Sequence, residues 1–171
     1  MDSGQLGLCR ARHRPGEQQL TRAIDHVFAD PQGVVAAARE TLGTPWQHQG
    51  RLVGVALDCV GVVVHILRSL GLPVVDQTGY GRTPALGLLE KALDDQPALV
   101  RIGGPEMAQP GDLLLMRFAR DPQHCAVLTD RGTIVHSWED VGRSCEHALV
   151  NRWARRIVAV YRFLALQAPS A

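Results

Sequence analysis

A chain of 171 residues has room for one domain around a single core, not for two comfortable ones. Eighteen Lys and Arg against seventeen Asp and Glu leave a formal charge of +1, so charge does not point to nucleic acid or another polyanion as partner. Hydrophobic content of 46% fits a folded globular domain, and no stretch approaches the ~20 apolar residues of a bilayer span.

The opening "MDSGQLGLCRARHRPGEQQ" has no apolar segment of the kind a secretory signal needs, so synthesis in the cytoplasm without an export signal of its own is expected, with any work at the cell wall requiring another carrier such as a phage tail. Residues 1–30 read as an arm and a short helix, and residues 31–171 as the main folded domain. Within the arm, Gly, Arg and His recur without periodicity up to Pro15-Gly16, and Arg10, Arg12 and Arg14 read as solvated surface. "EQQLTRAIDHVF" predicts a short helix with Leu20, Ile24 and Val27 on one face. Asp30-Pro31 is a cap-then-proline helix start. Val34, Val35, Ala38 and Leu42 form its stripe, and Gly43 sits at its end.

"TPWQHQGRLVGVAL" reads as a loop, with Pro45, Gly50 and Gly54 as breakers. Its Trp46 and His48 are either the wall of a cleft or core anchors. "VALDCVGVVVHILRSLG" follows. Val60, Val63, Val64 and Leu67 keep helical spacing, and Gly71 and Pro73 supply a stop. The β-branched Val62 to Val64 also suit a strand, but the run is long for one. His65 falls off the stripe and reads as a surface residue. Thr83-Pro84 predicts another helix with Leu86, Leu89, Ala92 and Leu93 inward. After it come "ALVRIGG", "GDLLLMRF", "HCAVLTD", "GTIVHSW" and "RRIVAVYRFLAL", short apolar runs separated by turns, which predict an antiparallel meander. Helices followed by strands imply an α+β fold with the helices packed on one face of the sheet.

Four cysteines, Cys9, Cys59, Cys125 and Cys145, form no CxxC pair, so neither a structural zinc site nor a disulfide framework is expected, and no cofactor is implied. Asp58 stands where an N-cap would, which puts Cys59 in the first helical turn. Free N–H groups and the helix dipole there favour a thiolate and can hold an oxyanion. A buried structural cysteine is the other reading of this segment. A thiolate catalyst needs a base, and the base needs an orienting partner. His124 and His136 lie on consecutive predicted strands joined by the turn at Asp130 to Gly132, which makes them neighbours. Alternation puts Cys125 on the face opposite His124, where it is expected to pack. Cys145 and His147 fall in a weak late strand and are assigned no chemical role.

"LGTPWQHQG", "LDCVGVVVHILRSLGL", "PGDLLLM", "HCAVL" and "IVHSW" occur in the order and approximate spacing of the NlpC-type cell-wall peptidases. The resemblance covers about Val34 to Phe163, and the "TPWQHQGR" loop is most similar to the phage-associated branch. It implies a papain-like α+β fold, with Cys59 as nucleophile, His124 as base and His136 as orienting residue. Trp46, His48 and Asp58 would serve the oxyanion and substrate side. The implied reaction is hydrolysis of an amide in a peptidoglycan stem peptide through a thioester, without metal or cofactor. The implied partners are the peptidoglycan peptide and other phage tail proteins. A tail component without turnover and another acyl-transfer enzyme on the same fold are the competing readings. The chain departs from the family in "DCVG", where relatives carry "DCSG", and in Trp46, where relatives often carry Tyr.

Overall fold

Asp30 sets the first described helix. Its carboxylate accepts from the N–H groups of Gln32 and Gly33, both at 3.2 Å, with Pro31 at the first helical position. The computed structural model describes residues 27–82 and 86–165, and this helix, α1, spans Pro31–Glu40. The expected arm and nearly all of the "EQQLTRAIDHVF" helix lie outside the described residues. Of that segment, Val27 is exposed and Phe28 bridges Leu164. α2 runs over Cys59–Ser69 and packs against α1 on one side and the sheet on the other. Val62 and Ile66 are therefore buried together with the expected Val63, Val64 and Leu67, while Val60 is only partly covered. α3 spans Leu88–Asp94 and buries Leu89 and Leu93. The predicted start at Thr83-Pro84 lies outside the described residues. Leu86 is not inward as expected: it precedes the Gly87 cap and is 92% exposed.

Two short strands, β1 (Arg51–Leu52) and β2 (Ala56–Leu57), form a hairpin inside the segment read as a loop. Two residues are too few to show a period of two in sequence. The main sheet has β3 (Leu99–Gly103), β4 (Leu113–Arg117), β5 (Pro122–Leu128), β6 (Thr133–Trp138), β7 (Arg143–Ala148) and β8 (Ile157–Phe163). Its order is β3-β8-β4-β5-β6-β7, and every pairing is antiparallel. This corrects the simple meander: the last strand inserts between β3 and β4. β8 is apolar on both faces and gains partners on both edges there, as a central strand should.

The sheet carries a core on each side. Leu113, Leu115, Val127, Val135, Ala159, Tyr161 and Phe163 meet the helices. Leu114, Met116, Ala126, Ile134 and Val160 meet Trp153, which comes from the one-turn helix α4 (Asn151–Ala154). The N-terminal helices thus share one face as expected, and this second, aromatic core covers the other. No helix among the described residues is long and apolar enough to cross a membrane.

The site is positioned by an opening in the sheet. β5 and β6 pair only at Val127↔Val135 and Leu128↔Ile134, and beyond these the ladder parts. Ser137 Oγ, on β6 at the opening, donates to the Leu57 carbonyl at 2.7 Å and so ties the segment entering α2 to the sheet. The hairpin seals the same corner. A Cβ on Gly61 would lie 2.2 Å from the Gly50 carbonyl oxygen, so only glycine lets α2 approach this closely. Gly61→Ala should cost about 1–3 kcal/mol through overpacking against backbone. Thermal unfolding followed by circular dichroism measures it, and an unchanged midpoint would refute the close approach.

Candidate active site

Asp58 has extended backbone (φ −106°, ψ −174°), and its Oδ1 accepts the Gly61 N–H at 2.8 Å. This is the capping geometry expected at the head of α2, and it makes Cys59 the first helical residue. The Cys59 N–H has no intrahelical acceptor, and the helix dipole adds positive potential at the same point. A cavity of about 320 Å³ opens here, lined by Cys59, His124, Trp46, His48 and Asp58 among others. A second cavity of about 290 Å³, mainly apolar, adjoins it between α2 and α3, and Val60, Tyr80 and Leu89 line both.

Cys59 receives groups from both faces of β5. Cys125 lies on the helix-facing side, and its Sγ is 3.4 Å from the Cys59 carbonyl oxygen. Alternation with His124 holds as expected. The expectation that Cys125 merely packs away from the site is corrected, because its face is the one on which the start of α2 rests. The Cys59 thiol is held well below its ordinary value, first by a hydrogen bond from the Cys125 thiol and then by the His124 imidazole. Cys125 is pushed well above its own, first by that same hydrogen bond and then by burial.

His124 lies on the other face and meets His136 diagonally across the parted strands, Nε2 to Nδ1 at 2.6 Å. His136 is fully buried. Its ring lies near-parallel to Trp138, with centroids 5.8 Å apart, and edge-on to Trp153 at 5.1 Å. Burial, followed by the charges of His124 and His147, lowers its pKa to about 2, so it is neutral at any working pH. The contacts continue past the expected set. His136 Nε2 is 2.9 Å from His147 Nε2, and His147 Nδ1 is 3.1 Å from the Ala148 carbonyl oxygen. His147 sits in β7, which pairs with β6 along its whole length. From sequence it falls in a weak late strand, "RSCEHALV", to which no chemical role is assigned.

Asp58 does more than cap. Its two oxygens also accept the Gln49 N–H (2.8 Å), Arg51 Nη1 (3.1 Å) and the Tyr80 hydroxyl (2.5 Å). Arg51 in turn donates Nε to Asp76 (2.8 Å) and Nη2 to the Tyr80 hydroxyl (2.8 Å), fixing the loop after α2 against the hairpin. His48 Nε2 and Gln49 Nε2 both donate to the Tyr80 carbonyl at 2.9 Å. His48 thus lines the cavity as expected, with one ring nitrogen committed to that loop. Tyr80 was not foreseen. It sits in a loop without periodicity, and a lone tyrosine there gives no local signal. Trp46 forms part of the wall, with the Arg82 guanidinium 5.4 Å from its ring centre. His65 lies outside the cavity lining and bonds Glu40 at 2.9 Å.

One group among the described residues has the composition of a metal site. His136, Cys145 and His147 bring ligand atoms within 4.8 Å of one another. The two imidazole nitrogens, however, are 2.9 Å apart, a hydrogen-bond length. Tetrahedral zinc with bonds of about 2.0–2.1 Å would set them roughly 3.3 Å apart. We therefore read the pair as sharing a proton.

The NlpC/P60 family model matches residues 43–162. Among solved structures, the chain is similar to the NlpC/p60 domain of the peptidoglycan hydrolase SagA, at 19% identity and TM-score 0.54, over 77% of this chain and 98% of that one. It is similar to a NlpC/P60 family protein from Bacillus cereus at 19% identity and TM-score 0.59, over 85% and 43%. It is also similar to the peptidoglycan hydrolase RipB from Mycobacterium tuberculosis at 16% identity and TM-score 0.57, over 80% and 65%. The chain thus spans less than two thirds of the length of the latter two. No curated protein sequence matches it. At these identities the structural likeness carries the fold, which is the expected papain-like α+β arrangement. The family match takes in the capped α2, the hairpin before it and the parted strands β5 and β6, and on that ground the chain belongs to the NlpC/P60 family.

Proposed function

We propose that the protein is a cysteine peptidase that hydrolyses an amide bond in a peptidoglycan stem peptide. The observation that carries the proposal is a thiol of lowered pKa, Cys59, at a capped helix start beside an imidazole pair joined at 2.6 Å and an open cavity. In this reading the Cys59 thiolate attacks the scissile carbonyl carbon and forms a C–S bond. The Cys59 N–H stabilises the resulting oxyanion. Collapse breaks the C–N bond, and the His124 imidazolium gives its proton to the leaving amine. Water then attacks the thioester carbon, His124 takes the water's proton, and the C–S bond breaks to release a carboxylic acid and free Cys59. His136 holds the ring of His124.

Trp46 acts as a wall for the substrate in this proposal. His48 and Asp58 hold the frame, since their polar atoms are engaged within the protein. The stem peptide as substrate rests on family membership and on the structural neighbours SagA and RipB, both peptidoglycan hydrolases. A phage-tail setting rests on the resemblance of the "TPWQHQGR" loop.

Purified peptidoglycan digested with the protein should release new free amino and carboxyl ends. Cys59→Ala should lower that release by at least about 10³-fold, and equal release by the two proteins would end the proposal. A second test reads the thiol directly. Cys125→Ala removes a donor to the Cys59 thiolate, so its pKa rises and less thiolate is present at pH 6–7. Alkylation by iodoacetamide should slow by roughly tenfold there, the worth of one charge-assisted hydrogen bond. The two rates should converge once pH exceeds the ordinary thiol value of about 8.5. Equal rates at pH 6.5 would show that Cys125 does not support the thiolate.

A further inference from the structure

His147 lies beyond the three residues that the proposed reaction uses, yet it is joined to them by an unbroken line of hydrogen bonds. The polarity of that line can be worked out from its far end. The Ala148 carbonyl oxygen, 3.1 Å from His147 Nδ1, can only accept, so Nδ1 carries a proton. In the neutral ring the lone pair is then on His147 Nε2. That nitrogen is 2.9 Å from His136 Nε2, which must therefore be the donor. His136 is fully buried among Trp138, Trp153 and two other imidazoles, with no carboxylate bonded to it, and so stays neutral. With its proton on Nε2, its Nδ1 is an acceptor and takes the His124 Nε2–H at 2.6 Å. The proton of His124 is thereby kept on Nε2. Its Nδ1 lone pair is left free, and in the proposed reaction it is the atom that exchanges a proton with the Cys59 thiol.

We propose that His147 is a positioning residue that sets the tautomer of His136, and through it that of His124, by presenting a fixed acceptor at the end of the imidazole line. Without that acceptor, His136 can carry its proton on Nδ1 and donate to His124 Nε2. His124 then has its own proton on Nδ1, pointing at the thiol, and cannot take one from it. The imidazolium formed during turnover meets the same obstacle, since its Nε2–H would face another N–H. The register explains why β7 can supply the group. Cys145 is directly opposite His136, and His147, two residues on, shares its face and lies diagonal to the ring. Trp153 packs on His147 with centroids 4.8 Å apart, which fixes the ring plane. The Cys145 thiol beside it is held protonated by burial.

The inference rests on reading Cys59 and His124 as nucleophile and base, so the first test needs no turnover. Nitrogen-15 NMR of histidine-labelled protein distinguishes protonated from bare ring nitrogens. The wild type should show His136 protonated at Nε2 and bare at Nδ1, and His147 protonated at Nδ1. A His136 protonated at Nδ1 would overturn the proposal whatever the variants do. The second test pairs two substitutions. His147→Phe keeps the ring against Trp153 and loses the acceptor, and it should shift the His136 proton to Nδ1. It should also slow Cys59 alkylation at pH 6–7 and lower kcat on peptidoglycan by about 10- to 100-fold, the usual cost of losing such a supporting partner, with KM little changed. His147→Gln returns an acceptor oxygen to the reach of His136 Nε2 and should stay within about threefold of wild type. Equal loss in the Phe and Gln variants, or a Phe variant with the wild-type spectrum and alkylation rate, would reduce His147 to packing. Should the protein prove inactive on peptidoglycan while the spectrum and alkylation behave as stated, the substrate reading fails and the His147 assignment stands.

Discussion

The Asp58 carboxylate is the interaction on which the rest of the site depends. It is nearly fully buried and takes four donors: the Gly61 and Gln49 N–H groups, Arg51 Nη1 and the Tyr80 hydroxyl. A buried charge is tolerable only when it is paired and hydrogen-bonded, and here the four partners come from three pieces of structure. One starts the helix, two belong to the hairpin, and one comes from the loop after α2. Loss of the carboxylate would leave Arg51 without its partner at the site and free three segments together. The position of Cys59 is a by-product of that anchoring, because it is simply the next residue.

The parted ladder between β5 and β6 is the second constraint. A continuous sheet would present His124 and Cys125 to opposite sides, and a group on one face would not feel the other. Where the strands separate, the start of α2 lies at the edge of both faces. The thiol then receives a neutral donor from the helix-facing core and an imidazole from the aromatic core. These two cores differ in kind. The first is aliphatic and fixes the helix, while the second, built on Trp138 and Trp153, encloses the neutral His136 imidazole.

Much of this was legible locally. The Asp30-Pro31 and Asp58-Cys59 starts are short-range capping events, and the sequence states them directly. The proximity of His124 and His136 followed from one tight turn. What escaped was non-local or aperiodic. The insertion of β8 beside β4 joins segments some 45 residues apart in chain order, and nothing local encodes it. The two-residue strands of the hairpin are shorter than any period. Tyr80 reaches the site through a loop whose path is set by Arg51 and Asp76. His147 was hidden by an irregular strand, and its relevance appears only once β7 is seen to pair with β6 over six residues. Cys125 was placed on the right face, but alternation alone cannot say what that face touches. The expected N-terminal arm lies outside the described residues.

Val60 departs from the "DCSG" pattern that the opening of α2 resembles, and its side chain is shared by the two adjoining cavities. It therefore behaves as a partition. On one side is the polar chamber of the thiol, and on the other an apolar recess under α3. A hydroxyl in this position would wet the boundary, whereas a branched hydrocarbon keeps it dry. A ligand that spanned the two chambers would meet hydrocarbon, not a hydroxyl, at their boundary.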